Sequence, residues 1–503
     1  MDGWSTSGDQ SLKVKHLRKA TVLAMIVSLT SSCSSMHNMG QSYGTAIGCV
    51  GGAALGGGLT YLVTRNAEKA VAGGIIGGIA GCALGNVWQK RERALAEIAA
   101  DEKIAIHTET LKTDPSSGSD TVGIVAQVED SAMFPTGSAE LTPDGLRQVK
   151  KIAAAMKGGD GNEAGLLLVV GHTDATGSAS LNQRLSEQRA RNVGRILEQA
   201  GISANRLYFQ GAGSSRPIAD NETDQGRAAN RRVELVGLTS EALLKQRLQQ
   251  EGNNPRYLEH GTASTASAVA KRPSANTKTA PRKAEPAMSI PSTPSITATA
   301  APRPAKTIES KNYVDFGGDA VNASLPSLAA NLKPQHRGFS LIGEAHASVI
   351  AKSCIADTVR VSGQARNLAS GKPVDVHETR EYLPGMNGRA WAGLVNGHLV
   401  TLSPVRVLRE NASVTEDPKV YITRNYMNNN HKADAPLKAV ANAWEGEDNI
   451  LYRVYLQDGQ QQNLSCIDLL VAKDKPKSQQ GQLFYFGNGD NKEYMAAYTP
   501  ARS

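Results

Sequence analysis

An aspartate and an arginine stand fifteen residues apart in the segment GHTDATGSASLNQRLSEQRARNVGRIL, which covers residues 171–197. Asp174 follows the apolar run from Leu166 to Val170, whose length and bounding glycines predict a buried strand. Arg189 lies where apolar residues recur at helical spacing, which predicts an amphipathic helix. An acid on the strand-to-helix turn and a guanidinium on the helix could together bind a ligand with both an ammonium and a carboxylate, because arginine binds carboxylates bidentately.

Each of these two residues also has a purely structural interpretation. Asp174 could cap the following helix, since aspartate is a favoured N-cap residue. Arg189 could be a solvated charge on the helix surface. For an isolated pair the structural interpretation is the default, so the choice depends on the residues that surround them.

Those surrounding residues resemble the OmpA-like peptidoglycan-binding domain. The family pattern of Thr-Asp, ten residues and then LSxxRAxxVxxxL is met without a gap from Thr173 to Leu197. The motifs FPTGSAELTPDG from Phe134, LNQRLS from Leu181 and GRAANRRVE from Gly226 accompany it. The resemblance covers about residues 121–238 and favours the binding interpretation.

The resemblance implies roles for named residues. In the family, an aspartate and an arginine clamp the diaminopimelate of the peptidoglycan stem peptide. Carried onto this chain, Asp174 would bind the ammonium and Arg189 the carboxylate of diaminopimelate. Thr173, Asn182 and Arg231 would complete the pocket.

The elements that position these residues alternate between strand and helix. Residues 122–128 alternate apolar and polar side chains, as a strand does. Thr142 and Pro143 form an N-cap and first helical position, and open a helix to about Met156. Further strands are predicted at 207–210 and 232–236. The pattern predicts a βαβαβ sandwich, with helices packed on one sheet.

The N-terminus has the features of an export signal. Basic residues between positions 13 and 19 precede the apolar run Ala20 to Leu29, which is too short to span a bilayer. Leu-Thr-Ser-Ser-Cys then resembles a bacterial lipobox, which implies acylation of Cys33. Ser34, where an aspartate would favour inner-membrane retention, indicates the periplasmic face of the outer membrane. Because Thr30 replaces the usual leucine, an ordinary signal peptide or an uncleaved anchor remains an alternative.

Glycines recur at every fourth position from Gly44 to Gly56 and from Gly73 to Gly85. A glycine inside a helix costs about 1 kcal/mol relative to alanine in water, so this spacing favours helices whose backbones pack closely in lipid. The charged residues 65–69 separate the two arms and predict a membrane hairpin. The region resembles the glycine zippers of outer-membrane lipoproteins, and a flexible Gly/Ala linker is the alternative.

Residues 313–503 predict a mainly β domain, in which we recognise no family motif. Asn396-Gly397 between apolar stretches predicts a tight hairpin. Residues 451–456 and 483–486 predict further strands, and 435–444 the one helix. Cys354 and Cys466 both lie in this domain, and export to an oxidising compartment predicts a disulfide between them. Two buried thiols are the alternative.

The composition of the chain indicates which classes of binding partner and which kinds of cofactor are expected. The net charge is +8, but aromatic residues make up only 5% and no basic stripe is interleaved with them, which argues against nucleic acid. The positive charge suits an anionic envelope polymer or a lipid surface. Since no zinc, phosphate-loop or hydrolase motif occurs, the sequence predicts no metal and no cofactor.

The sequence therefore predicts a multidomain α+β chain: a glycine-zipper helical hairpin, then an OmpA-like βαβαβ sandwich, then a mainly β C-terminal domain. It predicts a non-catalytic tether between outer-membrane lipid and peptidoglycan, with an unknown protein partner for the last domain. Two alternatives stay open, namely a scaffold of an envelope or secretion complex and an enzyme that acts on peptidoglycan through the C-terminal domain. The predicted boundaries are 1–32 for the signal, 33–90 for the acylation site and hairpin, 91–120 for a helical stalk, 121–238 for the OmpA-like domain, 239–312 for a disordered linker and 313–503 for the C-terminal domain.

Overall fold

A computed structural model describes the chain over residues 87–112, 121–130, 132–157, 165–262, 313–321, 327–332, 352–377, 379–457, 463–473, 480–488 and 492–502. The predicted export signal, the predicted acylation site at Cys33, the glycine-repeat hairpin and residues 263–312 of the predicted linker lie outside these ranges. Within them, no helix combines the length and the apolar character needed to cross a membrane. Almost all described residues belong to one compact unit, Lys90–Asp114 with Val122–Ser503.

The helices are α1 (87–102), α2 (Pro143–Lys157), α3 (Ala179–Gln199), α4 (Asp224–Asn230) and α5 (Glu241–Gly252). The strands are β1 (Ile106–Lys112), β2 (Thr121–Glu129), β3 (Leu166–His172), β4 (Leu207–Gly213), β5 (Arg232–Leu238), β6 (Asp319–Ala320), β7 (Arg366–Asn367), β8 (Tyr382–Asn387), β9 (Trp391–Val395), β10 (His398–Ser403), β11 (Arg406–Leu408), β12 (Val414–Glu416), β13 (Lys419–Thr423), β14 (Leu437–Glu445), β15 (Asn449–Leu456), β16 (Leu464–Ala472), β17 (Gln480–Phe486), β18 (Glu493–Tyr498) and β19 (Ala501–Arg502).

The first sheet has the strand order β1-β2-β5-β3-β4-β7. β3 and β4 are parallel, while β5 runs antiparallel to both β2 and β3. Ile124, Val169 and Leu235 from these strands are fully buried with Ile152 of α2 and Val193 of α3. The sheet with its helices confirms the predicted mixed α/β fold, and we call β1–β5 with α2–α5 the OmpA-like domain.

The predicted helical stalk is wrong in its second half. α1 ends at Glu102, Lys103 adopts a left-handed conformation with φ 54°, and Ile104 N–H closes the helix onto the Ala99 carbonyl at 3.1 Å. Residues Ile106–Lys112 instead form edge strand β1 beside β2. The Ala- and Glu-rich half is helical, whereas the β-branched Ile and Thr residues that follow fit a strand better.

The C-terminal domain is built on a ten-stranded sheet in the order β19-β9-β10-β13-β14-β15-β16-β17-β18-β6. β19 follows β18 directly in the chain but pairs with β9, at the other end of the strand order. The Asn396-Gly397 hairpin between β9 and β10 is confirmed, and both residues have positive φ angles, 46° and 78°. A smaller sheet, β12-β11-β8, lies beside it.

The helix predicted at residues 435–444 is wrong. This segment forms β14, which pairs with β15 from Ala439 to Glu445. Ala439, Ala441 and Ala443 alternate as buried residues on one face of the strand. Alanine favours helices in isolation, and here the cross-strand pairing and burial override that preference.

The disordered linker predicted from residue 239 begins too early. α5 and a short turn at Pro255–Leu258 pack onto the OmpA-like domain through Leu244, Leu248 and Tyr257, which are buried. These apolar residues are too few to stand out from the polar composition around them, yet Leu244 and Leu248 are four residues apart, which places them on one side of α5.

The C-terminal domain also contacts the OmpA-like domain. β7 pairs antiparallel with edge strand β4, and the Gly363 N–H donates to the Gly211 carbonyl at 2.7 Å. Arg360 donates to the carbonyls of Tyr257 at 2.8 Å and His260 at 2.9 Å. Residues 352–376 thus join the two domains.

The predicted disulfide between Cys354 and Cys466 is formed, with Cα atoms 6.2 Å apart. It holds the start of the joining segment to β16 of the C-terminal sheet. Close by, the buried Asp357 accepts a hydrogen bond from Arg453 at 2.7 Å. The joining segment is therefore fixed to the C-terminal domain by a covalent bond and a buried ion pair.

Candidate functional site

The site lies at the edge of the first sheet where three chain segments converge. β2 ends at Glu129, opposite Arg232 at the start of β5. β3 ends at His172, next to the same end of β5, because Gly171 stands opposite Val233. The residues that follow β2 and β3 and the residue that precedes β5 are therefore neighbours in space.

The turn after β3 holds Asp174 in a fixed conformation. Asp174 Oδ1 accepts from the Thr176 N–H at 2.9 Å, and the Ala175 N–H donates to Asn221 Oδ1 at 3.0 Å. Ser178 caps α3, since its Oγ accepts from the Leu181 N–H at 3.3 Å. Ser178 rather than Asp174 is the N-cap of the helix. One oxygen of Asp174 thus supports the turn, and Oδ2 is available to another group.

Asn182 and Thr173 also help to hold this turn in place. Asn182 Nδ2 donates to the carbonyl oxygens of Asp174 at 3.1 Å and Thr176 at 3.0 Å. The Thr173 N–H donates to the Gly213 carbonyl at 3.0 Å, and its buried hydroxyl has no hydrogen-bond partner among the described residues. Asn182 therefore positions the turn in this structure, while the Thr173 hydroxyl has unused hydrogen-bonding capacity.

A glycine allows α3 to lie close enough to β3 for its arginine to reach the site. A Cβ atom at Gly171 would lie 2.2 Å from the Ser186 carbonyl oxygen of α3. Any side chain would push the helix away from the strand. The close approach therefore explains why glycine ends the apolar run of β3.

Arg231 is the arginine that contacts Asp174. Its Nη1 donates to Asp174 Oδ2 at 2.7 Å. Arg231 follows α4 directly, and its side chain is 35% exposed, compared with 13% for that of Asp174. The pair is therefore partly open to solvent and accessible to a ligand.

Arg189 is buried and pairs with a different acid, Asp130. Its Nη1 hydrogen-bonds to Asp130 Oδ2, its Nε donates to the Ser138 carbonyl at 2.8 Å, and its guanidinium lies 4.7 Å from the centroid of the Phe134 ring. Phe134 and Ser138 belong to the FPTGS motif of the family pattern. That motif therefore builds the pocket in which the guanidinium lies.

Asp130 is a site residue that the sequence analysis missed. It lies between both arginines, because Arg231 Nε is 3.8 Å from its other carboxylate oxygen. Its N–H also donates to the Arg231 carbonyl at 3.1 Å. The available signal was its position directly after the predicted strand at 122–128, at the sheet edge that carries the other site residues.

Burial acts against the charged forms of the inner pair. It raises the pKa of Asp130, while Arg189 and then Arg231 oppose this shift. Burial likewise lowers the pKa of Arg189, and Asp130 opposes that shift. Each charge of the pair therefore lowers the cost of burying the other in the protein interior.

The four side chains form a row of alternating charge, Arg189, Asp130, Arg231 and Asp174, which we call the charge row. It offers carboxylate oxygens to an ammonium and guanidinium N–H groups to a carboxylate. Among the described residues, no group of three or more His, Cys, Asp or Glu could hold a metal ion. The charge row can thus bind a ligand that carries both an ammonium and a carboxylate.

The fold and this site are those of an OmpA-family domain, and residues 133–231 match the OmpA family. The chain is 38% identical over 113 residues to the probable lipoprotein YiaD of Escherichia coli, across 22% of this chain and 50% of that protein. It is 37% identical over 109 residues to the outer-membrane lipoprotein YfiB of Pseudomonas aeruginosa, across 22% of this chain and 63% of that protein. It is also 37% identical over 103 residues to the peptidoglycan-binding protein ArfA of Mycobacterium tuberculosis, across 20% of this chain and 31% of that protein.

These relatives define the extent of the match. The chain spans half of YiaD and less than two thirds of YfiB, and the family match ends at residue 231. The C-terminal domain lies outside the family match. An OmpA-family domain is therefore one part of this protein, and the family match does not extend to the C-terminal domain.

Proposed function

We propose that this protein is a non-catalytic tether that links the outer membrane to peptidoglycan by binding diaminopimelate of the stem peptide. The observation that carries the proposal is the charge row at the edge of the first sheet. The names of the relatives support it, since YfiB is an outer-membrane lipoprotein and ArfA a peptidoglycan-binding protein.

The charge row matches the free end of diaminopimelate group by group. Asp174 Oδ2, which now accepts from Arg231, receives the ligand ammonium. Arg189 binds the ligand carboxylate, and Arg231 is exposed enough to move and make a second contact with it. Truncating one partner of such a buried, hydrogen-bonded charge pair costs about 2–5 kcal/mol of binding free energy.

The membrane end of the tether is proposed to be Cys33 and the glycine-repeat hairpin that follows it. Acyl chains on Cys33 bind the bilayer at about 0.8 kcal/mol per buried methylene, and the two glycine-rich arms pack together within it. Intact-mass measurement of the mature protein tests this anchor. A mature chain that starts at any residue other than Cys33 contradicts it.

Co-sedimentation of the full chain, purified in detergent, tests the wall end. We expect the protein to pellet with peptidoglycan that carries diaminopimelate and to be released by free meso-diaminopimelate. Peptidoglycan with lysine at that position is the matched control, because lysine lacks the second carboxylate. Equal pelleting with both polymers, unaffected by free diaminopimelate, would contradict the proposed ligand.

A further inference from the structure

A cavity of about 550 Å³ lies between the OmpA-like domain and the C-terminal domain, within the same compact unit. The first domain contributes residues of β4, the loop after it and α5. The other wall comes from the joining segment and from β14. The lining residues used below are Gln210, Arg216, Ser362, Arg380 and Trp444.

Arg216 is the most informative residue of this cavity. It is only 4% exposed, its buried Nε has no hydrogen-bond partner, and its guanidinium makes no ion pair within 4 Å with any of the described residues. A buried charge without such a partner is costly. Buried charges in proteins are normally paired or bind a ligand, so the guanidinium of Arg216 is suited to pair directly with a bound anion.

The acid of the neighbouring helix, Glu251, attracts Arg216 through space but makes no ion pair with it within 4 Å. Glu251 of α5 is buried, and its Oε1 already accepts from Arg247 at 2.8 Å and Arg256 at 3.1 Å. Its Oε2 accepts from the Tyr257 hydroxyl. The carboxylate is therefore fully engaged, which leaves Arg216 available.

Gln210 provides a second buried polar group without a hydrogen-bond partner in the same cavity. Its Nε2 donates to the Gly363 carbonyl at 2.8 Å, which fixes the orientation of the amide. Its Oε1 is buried and has no partner among the described residues. A bound molecule with an N–H or O–H group would satisfy this oxygen.

The remaining walls set the charge and character of the site. Two exposed charged residues also line the cavity, namely Arg380, which makes no ion pair with the described residues, and Asp375, so the wall carries charges of both signs. Trp444 gives an apolar wall and is 3% exposed. The volume falls in the range of about 300–1,000 Å³ that is typical of small-molecule sites.

We propose that this cavity binds a small organic acid, whose carboxylate pairs with Arg216 and whose N–H or O–H group donates to Gln210. The charge row plays no part in this site, so the inference stands or fails independently of diaminopimelate binding. The expected ligands have the size of a sugar acid or a dipeptide.

Isothermal titration calorimetry on the full chain in detergent tests the proposal. The probes are N-acetylmuramic acid and alanyl-alanine, which carry a carboxylate and donors, N-acetylglucosamine, which lacks the carboxylate, and inorganic phosphate. We expect at least one of the probes with a carboxylate to bind and N-acetylglucosamine to give no heat of binding. Binding of phosphate alone, or of none of the probes, would overturn the assignment to an organic acid.

Three variants locate the binding. Arg216→Gln should weaken the bound probe at least about tenfold, as for the loss of a charge-assisted hydrogen bond. Ser362→Trp places a large side chain on the exposed wall of the cavity, so it should block ligand binding without disturbing a buried contact. If Arg216→Gln lowers the melting temperature, the affinity of Ser362→Trp is the result that tests the site. Arg195→Gln, on the exposed face of α3, is the control. Parental affinity in both cavity variants would overturn the proposal.

Discussion

Arg231 Nη1 donates to Asp174 Oδ2 at 2.7 Å, whereas Arg189 pairs with Asp130. The two residues that the family pattern predicts as a clamp are therefore linked through two further charges. Because the four side chains share partners, their contributions to stability and binding should not be additive. Asp130 and Arg231 belong to the site as much as the predicted pair.

Removing Asp130 should destabilise the OmpA-like domain strongly. Asp130→Ala leaves the buried Arg189 without its anion, and breaking a buried pair in this way costs about 3–5 kcal/mol. Urea unfolding of the full chain measures the effect. Glu129→Ala, the exposed neighbouring acid, is the matched control and should change stability by less than about 0.5 kcal/mol. Equal stability of the two variants would show that Asp130 is not needed to hold Arg189.

Asn221 should affect peptidoglycan binding although it lies outside the charge row. Its Oδ1 accepts from the Ala175 N–H at 3.0 Å, and its Nδ2 donates to the Gly261 carbonyl at 2.8 Å. Asn221→Ala leaves both groups buried without this partner, at about 1–3 kcal/mol for each unsatisfied group, and loosens the turn that carries Asp174. Peptidoglycan affinity and melting temperature should both fall.

Asn430→Ala is the control for that variant. It also removes an amide–carbonyl hydrogen bond, of 2.7 Å to Arg424, but at an exposed position of the C-terminal domain. If Asn221→Ala binds peptidoglycan as tightly as Asn430→Ala does, the turn does not depend on Asn221.

The sequence predicted the OmpA-like domain well because its signals are local. The strand before Asp174, the cap at Thr142 and the spacing of Arg189 each follow from a few neighbouring residues. Asp130 was missed because its role depends on strand β2 lying beside β5, and sequence spacing does not reveal that pairing. The direct contact between Asp174 and Arg231 was not predicted for the same reason.

His172 should make stability depend on pH. Burial lowers the pKa of His172 to about 4 from 6.5, with Arg232 adding to the shift and Glu234 opposing it. The folded state therefore binds fewer protons than the unfolded state, so stability is highest above pH 6.5 and falls as the pH drops towards 4. The loss should approach about 3 kcal/mol, at roughly 1.4 kcal/mol per pKa unit.

His172→Gln should flatten the melting temperature over that pH window. His431→Gln, which replaces an exposed histidine, is the matched control. A His172→Gln profile that falls as steeply as the parental one would show that other groups cause the acid sensitivity.

The disulfide should stabilise the C-terminal domain. Its cysteines are separated by 112 positions, and closing a loop of that size is worth roughly 4–5 kcal/mol on the chain-entropy model. Cys354→Ser with Cys466→Ser should lower the urea midpoint, and reductant should have the same effect on the parent only. Alkylation of both cysteines in the denatured, unreduced protein would show that the bond is absent.

The C-terminal domain was the part that sequence could predict least. Its hairpin at Asn396-Gly397 has a strong local signal. The alanine-rich sequence of β14, in contrast, favours a helix, and only its pairing with β15 makes it a strand. The contact of Arg360 with Tyr257 and His260 joins residues a hundred positions apart along the chain. Local patterns carry no information about such a contact, so the sequence could not predict that the two domains touch.

The most direct measurement is the affinity of the full chain for diaminopimelate-containing peptidoglycan in Asp174→Ala, Arg189→Ala and Arg231→Ala variants. Each should bind at least about thirtyfold more weakly than the parent, which corresponds to the loss of at least about 2 kcal/mol. Arg195→Ala, at an exposed position of the same helix as Arg189, should bind like the parent. Melting temperatures identify any variant that fails to fold. Parental affinity in folded Asp174→Ala and Arg231→Ala would contradict peptidoglycan binding by the charge row.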